Sequence, residues 1–140
     1  MVDFRIYKPG VTVTLVPIKK DPTTVIAAGK MVTVDVNELA IVADATSTKL
    51  AYAPAWASVW DSFVLVVKDT DVLYRWTSAV NFAQTDCWKL IDMSVASTVQ
   101  KINNWATAVW VFQVWVWIDT GVVWYKTDYA VKIEKHLLNA

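Results

Sequence analysis

The stretch that decides the fold is Val111-Phe112-Gln113-Val114-Trp115-Val116-Trp117-Ile118-Asp119-Thr120-Gly121. Its first eight positions are nearly all β-branched or aromatic, and such residues favour the pleated surface of a sheet. Asp119-Thr120-Gly121 then supplies the residue types of a turn. Beyond the turn, Tyr129-Ala130-Val131-Lys132-Ile133-Glu134 alternates with period two, which predicts odd-numbered residues facing inward and Lys132 and Glu134 facing solvent. The sequence therefore predicts a β-hairpin here.

The rest of the chain has the same strand-forming composition, with twenty-four valines and fourteen threonines among its 140 residues. Val32, Val34 and Val36 alternate with polar residues and are predicted to face inward. Phe63–Val67 is apolar at every position, so we predict a central strand that is buried on both faces. Ser94–Asn103 is the one stretch whose apolar residues have a loosely helical spacing. Short strands separated by turn residues are typical of a small barrel or sandwich.

We therefore predict an all-β fold, a small barrel or sandwich of short antiparallel strands with an extended N-terminal arm. Residues 1–20 contain two prolines and are predicted to form this arm or a first strand. Residues 21–140 are predicted to form a single β-domain, because a chain of this length suits one hydrophobic core.

Tryptophan is about as abundant in this chain as glycine is in most proteins. The sequence has nine Trp and three Gly, whereas an average glycine share of about 7% would give roughly ten. Trp88-Lys89 precedes a predicted strand just as Gly29-Lys30 does. We hypothesise that many Trp codons are UGA in an alternative genetic code that reads UGA as glycine. Several of the following positions should then have positive φ or tight-turn geometry: Trp60, Trp76, Trp88, Trp105 and Trp124.

The charge balance and the single cysteine exclude several classes of protein. Thirteen basic and thirteen acidic residues cancel, so we predict no nucleic-acid partner and no membrane partner. The longest apolar stretch, Val109–Ile118, is interrupted by Gln113 and is too short for a membrane-spanning helix. The first residues do not have the layout of a signal peptide. Cys87 cannot form an intramolecular disulfide, which fits synthesis in a reducing cytoplasm.

No pattern of an enzyme or of a metal centre appears in the sequence. His136 has no Cys, Ser or paired carboxylate nearby, so we predict a solvated side chain. Cys87 is predicted to be a small buried hydrophobe. Asp69-Thr70-Asp71 is predicted to be a turn, because Val72 and Leu73 follow where a calcium loop would need oxygen ligands. We therefore predict that the chain is not an enzyme and has no catalytic residues, no metal site and no cofactor.

The tryptophan-rich part of the chain allows a different function. Trp115 and Trp117 share one face of their strand and could stack on a sugar ring, as in a carbohydrate-binding β-domain. Because the other face of that strand is also apolar, a buried strand or a protein interface explains the pattern equally well. A coplanar exposed row of Trp56, Trp76, Trp115 and Trp117 would favour the carbohydrate-binding alternative.

With glycine imagined at the Trp positions, the chain from about Thr24 onward resembles the head decoration (cement) proteins of tailed bacteriophages. The matching pieces are Ala28-Gly29-Lys30, Ala40–Ala45, Leu50–Ala53, Ala57–Asp61, Phe63–Val67 and Val111–Val114. As written, Trp60 and Trp88 depart from the glycine turns of that pattern.

The resemblance implies a structural virion protein on the capsid surface, assembled in the host cytoplasm. Its partners would be the major capsid protein and further copies of itself, as a homo-oligomer and most simply a homotrimer. Edge strands and the first twenty residues would extend over neighbouring subunits and stabilise the bacteriophage head. Another virion part, such as a tail or fibre subunit, is a second alternative.

Overall fold

A computed structural model describes residues 4–7, 12–77, 88–96, 99–103, 109–118 and 128–138 of the chain. The strands in these ranges are β1 (Arg5–Ile6), β2 (Leu15–Lys19), β3 (Lys30–Val34), β4 (Ala40–Val42), β5 (Ala51–Ala53), β6 (Phe63–Val67), β7 (Leu73–Thr77), β8 (Leu90–Ala96), β9 (Val99–Asn103), β10 (Phe112–Ile118) and β11 (Asp128–Ile133). They pair with one another antiparallel. The described ranges contain no helix, and hence none able to cross a membrane. The predicted all-β fold of antiparallel strands is confirmed.

The largest sheet has six strands in the order β1-β7-β11-β10-β8-β9. The predicted hairpin supplies two of them, since β10 pairs with β11 from Ile118↔Asp128 to Phe112↔Ile133. Its turn at Asp119-Thr120-Gly121 lies outside the described residues. Val131 and Ile133 are buried and Glu134 is exposed, as the alternation predicted.

The stretch with helical spacing is a second hairpin. β8 pairs with β9 from Asp92↔Asn103 to Ala96↔Val99. The helical interpretation of Ser94–Asn103 is therefore wrong, because its β-branched side chains fit a strand better than the crowded surface of a helix.

Two smaller sheets complete the fold and share its two apolar cores with the large one. β4-β3-β5 is a three-stranded sheet, and β2-β6 is a two-stranded sheet. The alternation of β3 places buried Met31 in a core against the six-stranded sheet and buried Val32 in a core beneath β2 and β6. The three-stranded sheet is therefore the middle layer, with an apolar core on each face.

The two cores differ in the size of their side chains. The core on the six-stranded sheet is rich in aromatic rings, with Phe4 and Phe112 centred 5.6 Å apart and Tyr52 and Tyr74 centred 4.8 Å apart. The core beneath β2–β6 consists of small and β-branched residues: Ile26, Val32, Ala40, Ala51, Ala53, Ala57, Val64 and Val66. Small residues allow the middle layer and the two-stranded sheet to approach closely.

Polar contacts connect the layers inside the fold. The buried Gln100 amide on β9 accepts a hydrogen bond from Met31 N at 2.7 Å and donates to Met31 O at 2.8 Å and Ala43 O at 3.0 Å. Gln100 thus joins the edge of the large sheet to the middle layer. At the other edge, Phe4 N donates to Gly29 O at 2.8 Å, and Phe4 O accepts from the Tyr52 hydroxyl at 2.8 Å.

Much of the first twenty residues lies in these sheets. β1 pairs with β7, and β2 pairs with β6 along its whole length. Phe4 and Lys20 are buried. The division of the chain at residue 20 stays a prediction.

The alternation predicted for Val32, Val34 and Val36 ends early. Val32 is buried, but β3 stops at Val34 and Val36 is 98% exposed. The carboxylate of Asp35 accepts hydrogen bonds from Asn37 N at 2.8 Å and Leu39 N at 3.1 Å, which turns the chain before Val36 can continue the strand. The inward placement of Val36 is therefore wrong.

Candidate interaction surface

An exposed apolar surface lies on the outer side of the two-stranded sheet. β2 and β6 pair in the register Leu15↔Val67, Pro17↔Leu65 and Lys19↔Phe63. Side chains opposite each other in such a ladder point to the same face, with their Cβ atoms roughly 4.5–5.5 Å apart. We call the outward set the β2–β6 face: Leu15, Pro17, Lys19, Phe63 and Leu65. The alternation of β6 breaks at its last residue, so Val67, the partner of Leu15, is buried and does not belong to the face.

The β2–β6 face is unusually apolar for a surface. Phe63 is 54% exposed, Leu65 43% and Leu15 40%, and Pro17 is also exposed. Contiguous apolar patches on soluble proteins commonly mark binding sites. The prediction that Phe63–Val67 is a central strand buried on both faces is therefore wrong, since only Val64, Val66 and Val67 are buried. A strand that packs one face on a core and exposes an apolar second face has the same continuous apolar sequence.

Pro17 shapes the outer edge of this sheet. Lys20 N donates to Ser62 O, and Lys68 N donates to Thr14 O, so even-numbered residues of β2 direct their main-chain groups toward β6. Odd-numbered residues of β2 direct their main-chain N–H and C=O groups to the opposite edge, and residue 17 is one of them. Proline has no N–H, so one of the hydrogen-bond donors that an added strand would use is missing in the middle of this edge. Contact with a partner through the β2–β6 face is therefore favoured over strand addition at the β2 edge.

Polar groups fix both ends of the two-stranded sheet. Lys20 is buried just after β2, and its ammonium donates to the carbonyl of Asp21, at 2.7 Å, and to that of Thr24. At the other end, the carboxylate of Asp69 accepts from Thr14 N at 2.6 Å. Asp69 follows β6, in the segment where a turn was predicted. The surface is therefore presented on an ordered sheet.

His136 belongs to the same structural support. It is 3% exposed, so the prediction of a solvated side chain is wrong. Its Nδ1 accepts from Leu138 N at 3.1 Å, which leaves Nε2 protonated to donate to Val67 O at 3.1 Å. Burial lowers the pKa of His136 below 6.5, although the bond to Val67 and the charge of Asp69 act in the opposite direction. An isolated histidine gives no sequence signal for such a role.

A second surface feature is formed by two indoles. The rings of Trp88 and Trp115 are centred 5.0 Å apart and tilted by 59°. Trp115 Nε1 donates to Gln113 Oε1 at 3.2 Å, and Lys132 Nζ lies 5.9 Å from the Trp115 ring centre. Trp88 is 60% exposed. We call this pair the indole pair.

The indole pair is not the flat row that stacking on a sugar would favour. Of the four residues of the predicted row, Trp56 lies in the segment after β5 and Trp115 lies in β10. The side chains of Trp76 and Trp117 lie outside the described residues. Carbohydrate binding stays an untested alternative.

Two tryptophans have the left-handed backbone conformation that was predicted for recoded glycines. Trp88 has φ of 72° and Trp110 has φ of 58°. The prediction is confirmed for Trp88, while Trp110 was not among the predicted positions. Trp60 does not have positive φ but lies in the tight turn that Asp61 N closes on Ser58 O at 3.0 Å, which is the other geometry predicted. The prediction is wrong for Trp76, which lies within β7. Trp105 and Trp124 lie outside the described residues.

The described residues contain no group of three or more His, Cys, Asp or Glu side chains that could bind a metal ion. Cys87, predicted to be buried, lies outside the described ranges. Comparison of the chain with protein-family models, with curated proteins and with solved structures finds no match.

Proposed function

We propose that this chain is a structural protein of a bacteriophage virion, a head decoration protein that binds the major capsid protein through the β2–β6 face. The observation that carries the proposal is the exposure of Leu15, Phe63 and Leu65 on a sheet whose other side packs on a core. Adhesion to a shell requires an apolar surface of this kind that is already ordered before binding, because ordering it on binding would cost affinity.

The position of the face in the chain agrees with the expected contact region. Leu15, Pro17 and Lys19 belong to the first twenty residues, where contact with a second protein was predicted. β6 supplies the other half of the face and lies in Phe63–Val67, one of the pieces on which the resemblance to decoration proteins depends. Assembly as a homotrimer follows from that resemblance, and sedimentation equilibrium of the purified protein measures it.

Binding to purified heads that lack the protein tests the proposal. Phe63→Asp and Leu65→Asp place carboxylates on the face, and each should weaken co-sedimentation with heads at least tenfold because an unpaired charge would be desolvated. Val36→Asp is the matched control, since Val36 is 98% exposed and lies outside the face. Circular dichroism checks that all three variants remain folded.

The same experiment separates the alternatives. Folded Phe63→Asp and Leu65→Asp variants that bind heads as tightly as the parent would refute the role of the β2–β6 face. Binding to tails or fibres but not to heads would favour another virion part. For the carbohydrate alternative, the observation is the exposed Trp88 ring, and quenching of tryptophan fluorescence by soluble oligosaccharides would support it.

A further inference from the structure

We propose that residues 88 and 110 of the natural protein are glycines, encoded by UGA codons that the natural host reads as glycine. Both residues have φ in the left-handed region, 72° for Trp88 and 58° for Trp110. In that region the Cβ of a large side chain collides with its own backbone, whereas glycine has no Cβ. The inference is independent of the proposed function.

The hydrogen bonds at Trp88 identify a structure that requires glycine. Trp88 N donates to Val114 O at 2.6 Å, and Val114 N donates to Lys89 O at 3.0 Å. Two residues just before β8 thus stand opposite a single residue of β10, with the first of the two in the left-handed conformation. This is the G1 β-bulge, whose first position is characteristically glycine.

The same chain provides an internal comparison at Gly29. Gly29 has φ of 87°, its N–H donates to Ala53 O at 2.8 Å, and Lys30 follows it to begin β3. Trp88 likewise has a positive φ, a main-chain donor to the neighbouring strand and a following lysine, although β8 begins one residue after that lysine, at Leu90. Among the described residues, Glu38 also has a left-handed φ, of 62°, but it lies in the turn after β3 and not at the start of a strand.

Trp110 is held in its conformation by a different contact. The buried Asp92 carboxylate accepts hydrogen bonds from Val109 N at 2.9 Å and from Trp110 N at 2.7 Å. Two successive N–H groups directed at one oxygen fix the backbone just before β10 begins. Trp110 is 47% exposed and Trp88 is 60% exposed, so neither indole gains the burial that would offset its backbone strain.

The inference also bears on the indole pair. With glycine at residue 88, the ring that Trp115 contacts does not exist. Trp115 itself is the extra residue of an irregularity in β10, between Val114↔Val131 and Val116↔Ala130. A carbohydrate platform built on the indole pair would then be absent from the natural protein.

The test uses protein isolated from its natural source, digested with trypsin and sequenced by tandem mass spectrometry. Cleavage after Arg75, Lys89, Lys101 and Lys126 yields the peptides 76–89 and 102–126, which contain the two positions. We expect fragment ions that place glycine at both residue 88 and residue 110, and the corresponding gene to carry UGA at both codons. Tryptophan at either residue, or UGG at either codon, would overturn the inference.

Discussion

At the scale of single residues, the side chain at position 88 opposes the backbone conformation that the sheet imposes. A left-handed conformation costs a non-glycine residue about 1–2 kcal/mol. We therefore expect Trp88→Gly and Trp110→Gly each to raise the free energy of unfolding by about 1 kcal/mol in recombinant protein. Urea denaturation of the purified variants measures this difference.

Trp56→Gly is the control for these substitutions. Trp56 is 63% exposed and does not have positive φ, so glycine there should lower stability by about 0.5–1 kcal/mol through the entropy of the unfolded chain. A loss of stability at all three positions would contradict the explanation by backbone strain.

His136 makes the stability of the fold depend on pH. Its folded pKa lies below 6.5, the ordinary value, because burial removes the charged form of the ring from water. Between the folded and the unfolded pKa, the unfolded chain therefore binds more protons than the folded one. The contribution of His136 to the free energy of unfolding is fully present above about pH 6.5 and is lost as the pH falls through the folded pKa. His136→Gln should flatten the fall of the urea midpoint that sets in as the pH drops below about 6.5.

The chain has one histidine, so its imidazole proton resonances in an NMR titration belong to His136 alone. They should titrate below pH 6.5. A titration midpoint at or above 6.5 would show that the hydrogen bond to Val67 and the charge of Asp69 outweigh burial.

At the scale of elements, Pro17 should protect the β2 edge from pairing with another chain. Pro17→Thr restores an N–H on that edge and adds a residue that favours strands. We expect Pro17→Thr to aggregate faster than the parent protein, as followed by light scattering at equal concentration. Pro22→Thr, in the turn after β2, is the control and should behave as the parent does. Equal aggregation rates for Pro17→Thr and the parent would contradict the role of Pro17.

Sequence periodicity could predict the elements but not all of their surroundings. The alternation in β11 correctly placed Val131 and Ile133 inside, because one face of that strand packs on a core and the other meets solvent. Every residue of β6 is apolar, so its sequence has no alternation to show which face is exposed. A strand buried on both faces and a strand with one exposed apolar face have the same composition, so the β2–β6 face could be found only from the structure.

Long-range contacts were likewise beyond prediction. Gln100 and His136 reach partners 69 residues away in the chain, at Met31 and Val67. Nothing local in the sequence indicates such partners. The positive φ of Trp88, in contrast, could be predicted, because Trp88-Lys89 matches Gly29-Lys30 in the sequence.

At the scale of the whole molecule, the middle layer couples the two cores. Met31 packs in the aromatic core and Val32 in the core beneath β2–β6, although they are neighbours in β3. Loss of either core would expose one face of the same sheet. We therefore expect one cooperative unfolding transition for both cores.

Met31→Ala and Ile26→Ala truncate one core each. Each should lower the free energy of unfolding by about 2–5 kcal/mol and shift the entire transition, whether fluorescence or circular dichroism is recorded. Val36→Ala, at a 98% exposed position, should change stability by less than about 0.5 kcal/mol. Separate transitions for the two probes in either core variant would show that the cores unfold independently.

The pairing of β2 with β6 has a consequence during synthesis. β2 is made early but cannot pair until Phe63–Val67 has left the ribosome, and β1 must wait for β7. At about 5–20 residues per second, these delays last several seconds. The outer and middle layers can then close while β8 to β11 are still being made, and the segment around His136 joins them last through Leu50 and Val67. We therefore expect the β2–β6 face to form in the nascent chain, before the six-stranded sheet is complete.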